Sequence, residues 1–215
     1  MKNRVSVVIP VLNAAATLAA CLDAVAGAAE IIVVDGGSTD ATLAIAQAHH
    51  ARILHAAPSR GGQLRVGAAA ACAPYVLLLH ADTVLPQGWA DILPETKAGY
   101  FRLRYASHRR AARLLEALAA WRCRVFALPY GDQGLLLSAA LLESAGGVPD
   151  LPLMEDVALA RRLGRSRLLA LPASALTSAA RYERDGFLRR PLRNACCLAL
   201  YFAGMPVTTI QRLYG

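Results

Sequence analysis

Val33-Val34-Asp35-Gly36-Gly37-Ser38-Thr39-Asp40 is the stretch that decides the fold. Two β-branched residues lead to an acid, two glycines follow, and hydroxyl and carboxylate side chains suited to opening a helix come next. The order reads as a buried strand ending at Asp35, a tight turn and a helix start. Gly36 and Gly37 let the backbone approach a ligand closely, and a helix N-terminus favours anions. An acid at a strand tip accepts a hydrogen bond from a base N–H or a ribose hydroxyl, or it stabilises its own turn. Taken alone, the segment leaves both readings open.

The same rhythm continues on either side. Val5–Ile9 is a continuous apolar run, as expected for a strand covered on both faces. The alanine-rich stretch 14–26 is predicted as a helix with Asn13 as its N-cap. A strand is expected over Glu30–Asp35, and Ser38 or Thr39 caps a helix reaching about Ala48. Arg52–His55 reads as a third strand, Gly61–Cys72 as a helix, and Tyr75–Leu79 as a strand ending at His80-Ala81-Asp82. Alternation of this kind predicts an α/β fold: a mostly parallel sheet with helices on both faces. Ligands of such sheets bind outside the carboxyl ends of the strands. Asn13, Asp35 and Asp82 converge there.

The second half is less regular. Strands are expected at Tyr100–Tyr105, Gly134–Ser138 and Arg167–Leu171, with a helix from Arg109 to about Ala127. That helix carries an apolar stripe, Leu114, Leu118, Trp121 and Val125, with Arg109, Arg113 and Arg124 beside it as a solvated face. Further helices are expected at Asp156–Leu163 and Pro191–Ala203, the latter stopped by Gly204 and Pro206. No repeat, linker or boundary divides the chain, so 1–215 reads as a single domain.

Composition agrees with a packed globular chain: of 215 residues, 56% are hydrophobic and 18% charged. The net charge of +8 comes from 23 Lys+Arg against 15 Asp+Glu, and lysine occurs only at Lys2 and Lys97. Arginine presents a planar fork suited to phosphate and carboxylate groups. Three partners fit: nucleic acid, an anionic membrane surface or a phosphorylated small molecule. Nucleic acid is set aside because basic residues are not interleaved with aromatics and no known module is present. The cysteines form no CxxC pair or metal-ligand spacing, which points to unpaired thiols in a reducing, cytoplasmic setting. Lys2 and Arg4 before an apolar run superficially resemble a signal peptide, but Pro10 and Asn13 interrupt it. No run reaches the ~20 apolar residues needed to span a bilayer, so a soluble or peripherally attached protein is expected.

Three segments in order carry a resemblance: Val7-Val8-Ile9-Pro10-Val11-Leu12-Asn13, the Asp35 segment, and Leu77-Leu78-Leu79-His80-Ala81-Asp82. Together they resemble the family 2 glycosyltransferases of GT-A (Rossmann-like) fold, over residues 5–82 and again at 131–156. The resemblance implies a nucleotide-binding half at 1–82, an acceptor half at 98–180 and a C-terminal helical segment at 186–215. It implies that Asp35 pairs with uracil or another base. Pro10, Val11, Asn13, Gly36, Ser38 and Ala81 then surround the nucleoside. Arg60 and Gln63, with Arg65, lie on the helix that approaches base and phosphates. Asp82 matches the last acid of a D-x-D pattern that holds Mg²⁺ or Mn²⁺ against the diphosphate. His80 replaces the first acid of that pattern; it faces the ribose or metal, or fills a strand-end pocket.

Glu155-Asp156 resembles the family's E-D pair near the acceptor, with Asp156 as the base of an inverting transfer and Glu155 in support. Read without the family, both acids favour a helix dipole. Pro129-Tyr130-Gly131-Asp132-Gln133-Gly134 resembles a signature of a short, soluble branch of family 2, some of whose members are labelled arsenosugar-biosynthesis glycosyltransferases. It implies that Asp132 and Gln133 contact acceptor or sugar hydroxyls. Arg181 and Arg184 are candidates to fold over the donor diphosphate. Arg189, Arg190 and Arg193 precede an uncharged run. The terminal helix is expected to dock Leu192, Cys196, Ala199 and Phe202 against the domain, with a membrane-surface anchor at the inner face as the alternative. The expected donor is a UDP-sugar and the acceptor is open. Alternatives are GDP-mannose-type transfer to a polyprenyl phosphate, or a non-catalytic nucleotide-binding module. A nucleotidyltransferase is disfavoured because Pro10-Val11-Leu12-Asn13 offers no glycine-rich phosphate loop.

Overall fold

The computed structural model describes residues 4–214, so Lys2 lies outside the described residues. The strands are β1 (Val5–Val11), β2 (Glu30–Asp35), β3 (Arg52–His55), β4 (Tyr75–Leu78), β5 (Thr83–Val84), β6 (Ala98–Tyr105), β7 (Leu135–Ser138) and β8 (Leu168–Thr177). The helices are α1 (Ala15–Ala24), α2 (Thr42–Ala48), α3 (Arg60–Ala70), α4 (Arg110–Phe126), α5 (Ala139–Ser144), α6 (Glu155–Leu163), α7 (Ala180–Asp185), α8 (Arg189–Phe202) and α9 (Val207–Tyr214). The strands form one sheet in the order β3-β2-β1-β4-β7-β6-β8-β5.

Through β3-β2-β1-β4 every ladder is parallel, and Val11, Asp35 and His55 lie side by side at the carboxyl ends. From β7 onward the sheet is mixed: β7 runs antiparallel to both β4 and β6, whereas β6 and β8 are parallel. Helices cover both faces, as expected. On one face Leu18, Leu22 and Ala46 pack against Val7, Ile9 and Val33. On the other Leu64, Leu142 and Leu159 pack against Val8, Ile32 and Val34. Fully burying each such leucine, isoleucine or valine contributes about 1.5–3 kcal/mol, which explains why these strands are apolar on both sides.

Several local expectations are corrected. Asn13 does not cap α1: it sits in left-handed backbone (φ 51°), and α1 starts after Ala14 without a side-chain cap. Its amide donates to Ser38 Oγ (2.9 Å) and its Oδ1 accepts from the Thr39 amide (2.8 Å), stitching the loops after β1 and β2 together. Ser38 and Thr39 therefore do not cap α2, which begins at Thr42 with its amide donating to Asp40 Oδ1 (3.0 Å). α4 turns the opposite way from the expected one. Ala112, Glu116, Ala119 and Cys123 face inward, and Leu114, Leu118, Trp121 and Val125 are exposed. Small residues let the helix lie close to β6, while Glu116 accepts from the Tyr105 amide (2.8 Å) and pairs with Arg104 and Arg113. α8 likewise buries Arg190 and Cys197 rather than Leu192, Cys196 and Phe202, which are exposed. β8 continues to Thr177, well past Leu171, and α9 follows where no helix was expected.

Candidate active site

Two connected cavities lie beyond the carboxyl ends of the parallel strands. The outer cleft is lined by Pro10, Val11 and Asn13 after β1, Arg60 and Gln63 on α3, Ala81 and Asp82 after β4, and Arg181 and Arg184 on α7. Asp35 and Gly36 are buried behind this wall. Asp35 is 2% exposed, and its carboxylate accepts from the Gly37 amide (2.9 Å) and the Ser38 amide (3.0 and 3.1 Å). Burial alone would raise its pKa. The Ser38 hydroxyl and amide, the Gly37 amide and His55 outweigh that effect and hold it below the usual carboxylate range. The turn-stabilising reading of Asp35 is thus present in the geometry.

Gln63 is used by the backbone. Its Nε2 donates to the carbonyls of Val11 (2.8 Å) and Val34 (2.7 Å), tying the ends of β1 and β2. A Cβ on Gly36 would come within 3.2 Å of that amide, so the small residue lets Gln63 reach in. Arg65 lies off the site, paired with Asp150 at 3.0 Å on an exposed surface.

The inner pocket shares Arg60, His80, Asp82 and Arg181 with the cleft and extends to Asp132, Asp156, Thr177 and Asn194. Tyr105, Tyr130, Tyr182 and Tyr214 wall it, and Arg190 enters from α8. Met154, in left-handed backbone (φ 64°), turns the chain so that Glu155 and Asp156 open α6 at the pocket. Asp156 is fixed there: Oδ2 accepts from the Gly131 amide (2.8 Å) and Oδ1 from the Val157 amide (2.7 Å). Gly131 is required by crowding, because a Cβ would lie 2.3 Å from His80 Nε2.

Charge in this pocket is concentrated. Arg60 Nη1 lies 3.6 Å from Glu155 Oε1. Burial disfavours the Arg60 charge, but Glu155 and Asp156 outweigh it and raise its pKa. Glu155 is buried without a hydrogen bond to either carboxylate oxygen among the described residues. Burial, then the Asp156 charge, push it up to about 7. Asp132 is pushed up to about 6, by burial first and by Asp156 and Asp82 after it, although Arg122 opposes. His80 is held well below its ordinary value by burial and then by Arg60 and Arg181, so its ring is neutral. Its Nε2, Asp82 Oδ1 and Asp132 Oδ1 are buried without a hydrogen-bond partner among the described residues. Unpaired buried polar atoms cost about 1–3 kcal/mol each, so their clustering marks a place prepared for a ligand.

The structure therefore gathers Arg60, His80, Asp82, Asp132, Asp156 and Arg181, while Glu155 lies just behind in an adjoining apolar pocket that also holds Asp156. Gln133 departs from the expectation. It is 2% exposed, its Nε2 donates to the Phe101 carbonyl (3.0 Å), and its Oε1 accepts from Arg122 (3.0 Å) and Cys123 (3.2 Å). That leaves it a scaffold for the Asp132 turn. Arg184 reaches the cleft but is paired with Asp185 at 2.7 Å, whereas Arg181 Nη2 lies 4.0 Å from Asp82. Tyr105, Tyr214 and Asn194 escaped sequence reading, since they come from distant segments with no shared spacing, whereas Tyr130, Tyr182 and Arg190 stand in segments singled out for their neighbours.

Residues 6–95 match the model of the family described as Glycosyl transferase family 2. A PGL/p-HBAD biosynthesis glycosyltransferase of Mycobacterium bovis is 58% identical over 45 residues, 19% of this chain and 18% of that protein. An uncharacterized glycosyltransferase of Mycobacterium tuberculosis is 35% identical over 87 residues, 40% of each chain. The chain thus matches well under half the length of these curated relatives. Among solved structures, glucosyl-3-phosphoglycerate synthase from Mycobacterium tuberculosis with Mn²⁺ and UDP-glucose aligns over 94% of this chain and 79% of its own, with TM-score 0.59 and 22% identity. S. aureus TarS 1–349 with UDP-GlcNAc aligns over 81% of this chain and 58% of its own, with TM-score 0.61 and 17% identity. These likenesses establish the GT-A-like fold.

Proposed function

We propose that this chain, whose residues 6–95 match the model of Glycosyl transferase family 2, moves a sugar from a nucleotide-diphosphate sugar to an acceptor held in the inner pocket. The observation that carries this reading is the junction of the two cavities, where Arg60, Asp82 and Arg181 stand between a nucleoside-sized cleft and a pocket containing Asp156. UDP-sugar is the proposed donor, supported by the UDP-glucose and UDP-GlcNAc bound in the two structural relatives.

The chemistry follows from the positions. The nucleoside lies along Pro10, Val11 and Asn13, and the diphosphate reaches Arg60 and Arg181. The acceptor hydroxyl faces Asp156, whose carboxylate is aimed by two backbone amides. As the acceptor oxygen bonds to the anomeric carbon, its proton passes to Asp156 and the bond from that carbon to the diphosphate breaks. One displacement inverts the anomeric centre. Arg60 and Arg181 meet the charge that develops on the leaving diphosphate. Asp132, which burial pushes up to about 6, hydrogen-bonds acceptor hydroxyls.

A divalent ion suits Asp82, a hard oxygen donor with Oδ1 buried and unpartnered among the described residues. No group of three or more His, Cys, Asp or Glu side chains that could hold a metal occurs among them. Mg²⁺ or Mn²⁺ bound through Asp82, with the neutral His80 ring alongside, would therefore draw most of its remaining ligands from phosphates and water. When bound, it supplies Lewis-acid stabilisation of the diphosphate. The free thiols of Cys21, Cys72, Cys123, Cys196 and Cys197 support a reducing, cytoplasmic setting.

The test is nucleotide release from a panel of UDP- and GDP-sugars with Mn²⁺, with the anomeric configuration of the product followed by NMR. Release of UDP with inversion is expected. A protein that binds UDP-sugars but never breaks the anomeric bond, with water or any acceptor, is a binding module instead.

A further inference from the structure

Two helices present exposed apolar faces. On α4, Leu114, Leu118, Trp121 and Val125 point outward, and Leu114 is 61% exposed. On α8, Leu188 just before the helix is 81% exposed and Leu192 is 70% exposed, with Phe202 at the far end also open. Cys196 and Ala199 continue that face at helical spacing. Leaving a leucine in water forgoes roughly 1.5–3 kcal/mol relative to burial. Faces this long are therefore unusual on a monomer.

The two helices are tied at both ends. At their starts the Arg109 guanidinium lies over the Phe187 ring at 5.9 Å, and Leu115 packs in the same cluster as Phe187. At their ends Arg165 donates to the Arg124 and Val125 carbonyls, while Arg161, one turn earlier, lies over the Phe202 ring at 5.2 Å. The helix starts thus meet directly, the helix ends are joined through Arg161 and Arg165, and arginines stand at both junctions. A groove between the helix starts carries Arg109, Arg110, Arg184 and Arg189. Its acids are already engaged: Glu183 accepts from Ser107 (3.0 Å), and Asp185 pairs with Arg184 and Arg190.

We propose that α4 and the Leu188–Phe202 segment form a surface that seats this protein on an anionic lipid bilayer. Leucine, phenylalanine and tryptophan enter the boundary between headgroups and acyl chains, and the bordering arginines keep their charge at the phosphates. Charge selects this occupant over a second copy, because pairing two such faces would press one arginine border against another. The opposite face of α8 contributes Arg190 and Asn194 to the inner pocket. Seating therefore brings that pocket beside the membrane. The proposal goes beyond the transferase reading and does not depend on it.

The test is flotation of the full chain with vesicles of phosphatidylcholine alone or with about a third phosphatidylglycerol, at low and high salt. Floated protein is expected to be at least about tenfold greater on the anionic vesicles and to fall with salt. Trp121 emission should shift to the blue on binding, since Trp89 is buried already. The double variant Leu188→Ser/Leu192→Ser, and separately Trp121→Ser, should lose most of the binding while keeping circular dichroism and thermal midpoint, because all three side chains are exposed. Failure to float on anionic vesicles would overturn the proposal, as would equal flotation of wild type and variants. A dimer in light scattering that Leu188→Ser/Leu192→Ser dissolves would assign the surface to self-association and overturn it too.

Discussion

Asp35 and Asp132 are both acids in sheltered turns, yet their carboxyl groups are displaced in opposite directions. Asp35 receives amides from Gly37 and Ser38 and is held below the ordinary range. Asp132 leaves Oδ1 with no hydrogen-bond partner among the described residues and is pushed up to about 6, while Glu155 behind the pocket is pushed up to about 7. Burial opposes charge in both regions, and the supply of donors decides the sign. The strand-end turn after β2 brings its own donors. The inner pocket places acids against one another with polar atoms unpartnered among the described residues, so the turn after β2 is a finished frame and the pocket an unfinished one.

The largest effect is expected in the pocket. Asp156→Asn should lower transfer by about 10²- to 10⁴-fold while leaving donor affinity within about twofold, measured by single-turnover assay and nucleotide titration. Near-normal turnover would remove Asp156 as the base. In the frame, Asp35→Ala strands the Gly37 and Ser38 amides and should cost about 2–3 kcal/mol, a fall in melting temperature of roughly 5–10 °C for a chain of this size. Asp35→Asn keeps an acceptor oxygen and should lose less. If the Asn variant binds UDP as wild type does, Asp35 only holds its turn.

A third substitution separates the regions by pH. Glu155 is raised from 4.5 to about 7, so between those values the folded protein holds a proton the unfolded chain has released. Stability contributed by that proton is lost as pH rises through the window. Glu155→Gln should therefore raise the melting temperature at pH ~8 and change it little at pH ~4.5, a gain of roughly 1–3 kcal/mol. An equal shift at both pH values would contradict the account. The smallest effect is expected at Arg65→Ala, which breaks an exposed pair with Asp150. It should cost under about 1 kcal/mol and leave UDP affinity unchanged.

What sequence reveals follows the same division. Runs such as Val5–Ile9 and Ile31–Val34 have one physical reading, so the parallel half and the convergence of Asn13, Asp35 and Asp82 were legible. The stripe on α4 was legible as a stripe, but periodicity does not say which side meets the sheet. Ala112 and Ala119 win the inner face because they permit close approach, and Glu116 follows them inward to satisfy the Tyr105 amide. Gln63 and Gln133 resembled ligand contacts, yet their amides satisfy backbone carbonyls. The pocket's tyrosines come from β6, the turn before β7, α7 and α9. Only the folded chain gathers them.

The measurement that bears most directly on the central claim is calorimetric titration of UDP into the wild-type chain, with Mn²⁺ and with a chelator. The account predicts saturable binding that depends on the metal and weakens by about tenfold or more in Asp82→Asn and Arg60→Ala. Absence of binding by UDP and by every other nucleoside diphosphate, with and without metal, would contradict it.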